Sequence, residues 1–86
     1  MYIGVIEVKP LENYKLLLTF DNKEKKIFDM KPYLDKGLFK DLKDEKIFKS
    51  VRVSFDTIEW SNGLDIDPEF LYKNSTKLEN EDIVTS

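Results

Sequence analysis

Ile58-Glu59-Trp60-Ser61-Asn62-Gly63-Leu64-Asp65-Ile66-Asp67-Pro68 is the stretch that decides how this chain folds. It holds the only Trp, and an Asn-Gly pair flanked by alternating apolar residues is a strong hairpin signal, because both residues tolerate positive φ. A two-residue loop would pair Trp60 with Asp65 and set Trp60 and Leu64 on opposite faces. A three-residue loop, Ser61-Asn62-Gly63, pairs Trp60 with Leu64 and Ile58 with Ile66, so that all four apolar side chains share one face. A one-residue slip flips every side chain, so burial selects the second register. That register predicts a turn closed by Gly63 in the left-handed region and leaves Glu59 opposite Asp65 on the wet face. Asp67 is then a good N-cap and Pro68 a good first helical residue, with Glu69 favourable to the helix dipole. A short helix is predicted from Pro68 to about Asn74.

Upstream, Tyr2–Val8 reads as a first strand, ended by Lys9-Pro10. Tyr14–Phe20 alternates clearly, with Tyr14, Leu16, Leu18 and Phe20 on one face and a partly covered Leu17 on the other. Asp21-Asn22-Lys23-Glu24 is a turn and Glu24–Met30 the return strand. Pro32 and Gly37 break the pattern. Leu34, Leu38, Phe39, Leu42, Ile47 and Phe48 then recur at spacings of three to five, as in short helical turns laid on a sheet, with Asp44 capping the last. Val51, Val53 and Phe55 alternate with Arg52 and Ser54, a strand with one buried face that turns at Asp56-Thr57. The reading is α+β: a small curved antiparallel sheet with short helical segments and a C-terminal helix. Residues 1–76 form one domain, and 77–86 a flexible acidic tail.

The chain has 86 residues, 41% hydrophobic and 36% charged, with neither Cys nor His. Disulfides, thiolate chemistry and a conventional Ser-His triad are therefore excluded. The start resembles no signal peptide, and no apolar run reaches the length of a membrane span, so a cytoplasmic protein is expected. Net charge is −3 but unevenly spread. Residues 22–52 carry ten Lys/Arg against six acids, a balance of +4, and residues 53–86 carry two Lys against eight acids, a balance of −6.

Three stretches together resemble a small bacterial family known as domain of unknown function 2442. They are Asn13-Tyr14-Lys15-Leu16-Leu17-Leu18-Thr19-Phe20-Asp21-Asn22-Lys23-Glu24, then Phe28-Asp29-Met30-Lys31-Pro32-Tyr33-Leu34 with Gly37, Phe39, Leu42, Asp44 and Phe48, then Trp60 to Tyr72. In the last and most specific, the matching positions are Trp60, Asn62, Gly63, Asp65, Ile66, Asp67, Pro68, Leu71 and Tyr72. Lys23 stands where the family usually has Gly, which puts the geometry of that turn in question, and Asn13 stands where Asp is common. The resemblance implies an α+β fold and no established activity. Some relatives carry a helix-turn-helix domain after this one, and some are encoded beside a second small protein in pairs that look like toxin–antitoxin modules. The sequence reaches only Ser86, short of where such a domain would begin, so direct DNA binding is not expected to carry over.

Candidate chemistry is sparse. Asp56, Glu59, Asp65, Asp67 and Glu69 lie around the hairpin, but their spacing matches no calcium loop, and no metal or cofactor is expected. Lys36, Lys40, Lys43, Lys46 and Lys49 recur every three or four residues, but Asp41, Asp44 and Glu45 interrupt them, so a solvated helical face is favoured over a nucleic-acid stripe. Trp60, Tyr33 and Tyr72 read as core aromatics. No enzyme is expected. The leading expectation is an interaction module, an antitoxin-like or regulatory partner of another small, basic protein. Its partner surface would be Glu79, Glu81, Asp82, Ile83 and Val84 of the acidic tail. The alternatives are a small nucleic-acid-binding or transcription-associated protein and, behind it, a metal-binding or enzymatic domain.

Overall fold

A computed structural model of the chain describes residues 3–78. Three strands open the chain: β1 (Val5–Leu11), β2 (Lys15–Phe20) and β3 (Lys25–Asp29). Two turns of 3-10 helix (Lys31–Tyr33 and Gly37–Lys43) lead into the single-turn helix α1 (Glu45–Phe48). Then come β4 (Arg52–Ser54), β5 (Thr57–Glu59), β6 (Asp65–Ile66), helix α2 (Pro68–Asn74) and β7 (Thr76–Lys77). All pairings are antiparallel, and the fold is α+β.

The strands form two sheets, ordered β1-β2-β3-β7 and β4-β5-β6, where the sequence predicts one curved sheet. The sheets meet at the start of β1. There the Val5 N–H donates to the Asp56 carbonyl at 2.7 Å. Gly4 allows the approach, since a Cβ at that position would stand 2.9 Å from the Asp56 Cβ.

The core is built from the alternation of β2. Leu16, Leu18 and Phe20 are fully buried and join Val5, Phe28, Met30, Leu34, Leu42, Phe48, Ile58, Trp60, Ile66 and Leu71 in one cluster. Leu17 is half-buried on the opposite face. The central hairpin has the register that burial selects. Ile58 pairs with Ile66 and Glu59 with Asp65, and the Trp60 N–H donates to the Leu64 carbonyl at 2.9 Å. The turn closes by Gly63 N–H to the Trp60 carbonyl at 2.9 Å, with Gly63 at φ +89°.

The β2–β3 turn is built in the same way. The Lys23 N–H donates to the Phe20 carbonyl at 2.8 Å and the Phe20 N–H to the Glu24 carbonyl at 2.9 Å. The Asn22 side chain accepts from the Glu24 N–H, as the Asn62 side chain accepts from the Leu64 N–H. Lys23 therefore occupies the place of Gly63, and at φ +71° it keeps the left-handed geometry despite its side chain. Relief of about 1–2 kcal/mol of αL strain, less the flexibility that Gly adds to the unfolded chain, predicts that Lys23→Gly stabilises by about 0.5–1 kcal/mol. A urea midpoint no higher than that of the parent protein would remove this account.

Several expectations need correction. β1 does not stop at Lys9-Pro10. It runs to Leu11, with Pro10 paired to Leu16, because β1 is an edge strand and the missing N–H breaks no inner ladder. Tyr14 is not part of β2. It ends a 3-10 turn in which Asn13 and Tyr14 both have positive φ, and this aims its hydroxyl at the Lys43 carbonyl, 2.6 Å away. The tail does not begin at Lys77: Thr76 and Lys77 pair with Ile27 and Lys26, and the Leu78 N–H donates to the Lys25 carbonyl at 3.0 Å. Finally, the Val53-Phe55 alternation does not mark a buried face. Ile58, the cross-strand partner of Val53, holds the core position. Phe55 falls past the end of β4, in a two-residue turn with Asp56.

Candidate interaction surface

The family-like motif around Trp60 is used mainly for building the fold. Trp60 is 1% exposed and donates its indole N–H to the Phe48 carbonyl at 3.1 Å, tying the hairpin to α1. Asn62 and Gly63 form the turn, and Asp65 lies exposed in β6 opposite Glu59. The Asp67 carboxylate accepts the Glu69 N–H at 2.8 Å, Pro68 opens α2, and Ile66 and Leu71 enter the core.

Tyr72 anchors α2 to β3. Its ring lies edge-on to Phe20, with centroids 5.0 Å apart, and its hydroxyl donates to Glu24 Oε1 at 2.7 Å. Lys26 Nζ sits 3.9 Å from the ring centroid and donates to the Tyr72 carbonyl at 2.7 Å. The Tyr72 hydrogen bond, helped by Lys26, holds the Glu24 carboxyl below the usual carboxylate range, and the same bond raises the Tyr72 phenol. The Glu24 contribution is present above the unfolded-state value near 4.5 and is lost as pH falls through its lower folded value. The Tyr72 contribution is present below the unfolded-state value near 10.0 and is lost as pH rises through its higher folded value. Tyr72→Phe should therefore flatten the loss of Tm below pH 4.5 relative to the parent, read by circular dichroism at pH 7 and at pH 3. Parallel Tm curves would count against the pair.

The aromatic residues do not meet in one ligand surface. Trp60 is enclosed, Tyr72 faces Phe20, and Tyr33 stacks on Phe28 with Phe70 edge-on. The lysine series is exposed, but its charge is divided. Lys43 pairs with Asp35 at 2.6 Å, lowering the Asp35 carboxyl, while Lys49 lies 4.0 Å from Glu45 and Lys36 rests over Tyr33. The acids around the hairpin disperse too, with Glu59 on Arg52 at 3.5 Å and Asp67 on its cap. Among the described residues no group of three or more His, Cys, Asp or Glu is placed to hold a metal ion. Two partly open clefts lie among the described residues, one of about 300 Å³ over Ile3, Glu69, Tyr72 and Lys73 and one of about 470 Å³ beside Pro10–Tyr14, Glu45, Phe48 and Lys49.

What stands out lies at the tip of the β4–β5 hairpin. Phe55 is 96% exposed, and both Phe55 (φ +49°) and Asp56 (φ +68°) are left-handed. A two-residue turn with φ positive at both places favours Asn and Gly, so Phe is unfavourable there on backbone grounds. Ile6, 56% exposed, is the extra residue of a bulge in β1, one step beyond the Val5–Asp56 hydrogen bond. Val53, on the same hairpin, is also exposed. Sequence reasoning missed Phe55 because the alternation from Val51 pointed it inward. The usable signal was the lack of any Gly or Asn between two short β runs. The expected partner residues Glu79, Glu81, Asp82, Ile83 and Val84 lie outside the described residues.

No helix among the described residues is long and apolar enough to cross a membrane. The profile of a family described as "Protein of unknown function (DUF2442)" matches residues 5–77. No curated protein and no solved structure matches the chain.

Proposed function

We propose, for a chain that belongs to the DUF2442 family, a non-enzymatic role as an interaction module: an antitoxin-like or regulatory partner of another small, basic protein. The observation that carries this reading is Phe55, an aromatic side chain almost wholly in water, at a backbone position that disfavours it. It adds nothing to the core, and its ring is free to be buried by a partner. The balance of −6 over residues 53–86 favours a basic partner, whose encounter it would accelerate through long-range attraction. Three of the five exposed lysines lie against an acid or a tyrosine ring, which favours this reading over phosphate binding.

Co-purification from the native cell, with mass spectrometry, tests it. A stoichiometric small basic protein is expected, with an association rate that falls steeply between low and moderate salt. Nucleic acid that stays bound at physiological salt, with Lys36–Lys49 protected, would replace this reading with the nucleic-acid one.

A further inference from the structure

Resting on that reading, we infer that the contact is made by the β4–β5 tip, with Phe55 as an anchor entering an apolar pocket that the basic partner rims with Lys or Arg. Three observations converge there. First, the anchor is presented rigidly. The turn is closed by Ser54–Thr57 pairing, and its Asp56 carbonyl is held by the Val5 N–H at 2.7 Å. Asp56 also packs on Gly4, where a Cβ would stand at 2.9 Å. A backbone held this way loses little freedom on docking, which lets more of the ring's burial appear as binding energy.

Second, the apolar area extends beyond Phe55. Val53 lies two residues before Phe55 in the same hairpin, and Ile6 follows the Val5 whose N–H holds Asp56; both are exposed. Third, the rim is acidic and unneutralised. Glu7 follows Ile6, Asp56 follows Phe55, and Asp21 is brought in by its carboxylate accepting the Gly4 N–H at 3.2 Å. Among the described residues the ion pairs are Lys43–Asp35, Lys49–Glu45 and Arg52–Glu59, and none of them involves these three acids. An apolar centre with an unpaired acidic rim complements a pocket edged by Lys or Arg and repels an acidic surface or a phosphate backbone.

The experiment places p-benzoylphenylalanine, a photo-crosslinker, at position 55 of the full chain in the native cell. A second version carries it at Leu38, an exposed apolar control on the lysine-bearing segment, 72% exposed. The expected result is an adduct with a basic protein from position 55 and none from position 38. That protein, purified, should bind Phe55→Asn at least tenfold more weakly. Glu7→Gln with Asp56→Asn should weaken it at low salt and flatten its salt dependence. Phe55→Asn should melt no lower than the parent, which separates lost binding from lost folding. An adduct from 38 but not 55 overturns this surface and leaves the interaction module standing. An adduct from 55 with an acidic protein, or with a second copy of this chain, overturns the basic pocket. No adduct from either position, with no protein co-purifying, overturns the surface and the interaction module together.

Discussion

Trp60→Ala is expected to remove about half of the protein's stability at 25 °C. The indole is 1% exposed and belongs to the core cluster that also holds Ile58, Ile66, Phe48 and Leu71. Truncating a buried aromatic to Ala removes its transfer energy and leaves a cavity, at a cost of about 3–5 kcal/mol. It also strips the Phe48 carbonyl of the indole N–H that holds α1 against the hairpin. Domains of this size have total stabilities of roughly 5–10 kcal/mol, so one substitution consumes much of the margin. Circular dichroism and urea titration measure the effect. A variant that melts within a few degrees of the parent would show that neighbouring side chains refill the space.

Gly63→Val is the second large effect expected, about 1–3 kcal/mol of destabilisation. Its origin is purely conformational. Beyond its two chain neighbours, no described atom lies within 4 Å of where a Cβ would be built, so crowding is not the cause, and φ +89° is. Gly63→Ala and Gly63→Asn sharpen the test. Asn tolerates the left-handed region better than other side chains, so it should lose least and Val most. Equal losses for all three would point to something other than backbone strain. Lys23 shows that the fold tolerates one such strained turn.

The parts of the fold legible in the sequence were those set by neighbours along the chain. The Trp60–Leu64 register follows from which faces are apolar, and the Asp67 cap and Pro68 start of α2 follow from local hydrogen-bonding chemistry. The capping of α1 by Asp44, through the Lys46 N–H at 2.9 Å, belongs to the same class. The features that escaped depend on distant partners. β7 exists because β3 offers an unpaired edge, and nothing in Thr76-Lys77 announces that. Pro10 stays in a strand because β1 happens to lie at an edge. The docking of the two sheets rests on Asp56 reaching Val5, a contact no local pattern encodes. Phe55 is the most consequential case. A hydrophobic alternation predicts burial only while the strand lasts, and β4 ends at Ser54.

The division into two sheets also sets the entropy of assembly. β1–β2–β3 lies within residues 5–29 and β4–β5–β6 within residues 52–66, and each ladder zips up from a tight turn. Closing such short loops costs little, and the cost grows only as the logarithm of length. Long-range closure is left to a few ties: Val5 to Asp56, Lys26 to Lys77, and the side chains of the shared core. A chain arranged this way searches two small conformational problems separately before solving one large one, which favours fast folding for a protein rich in strands.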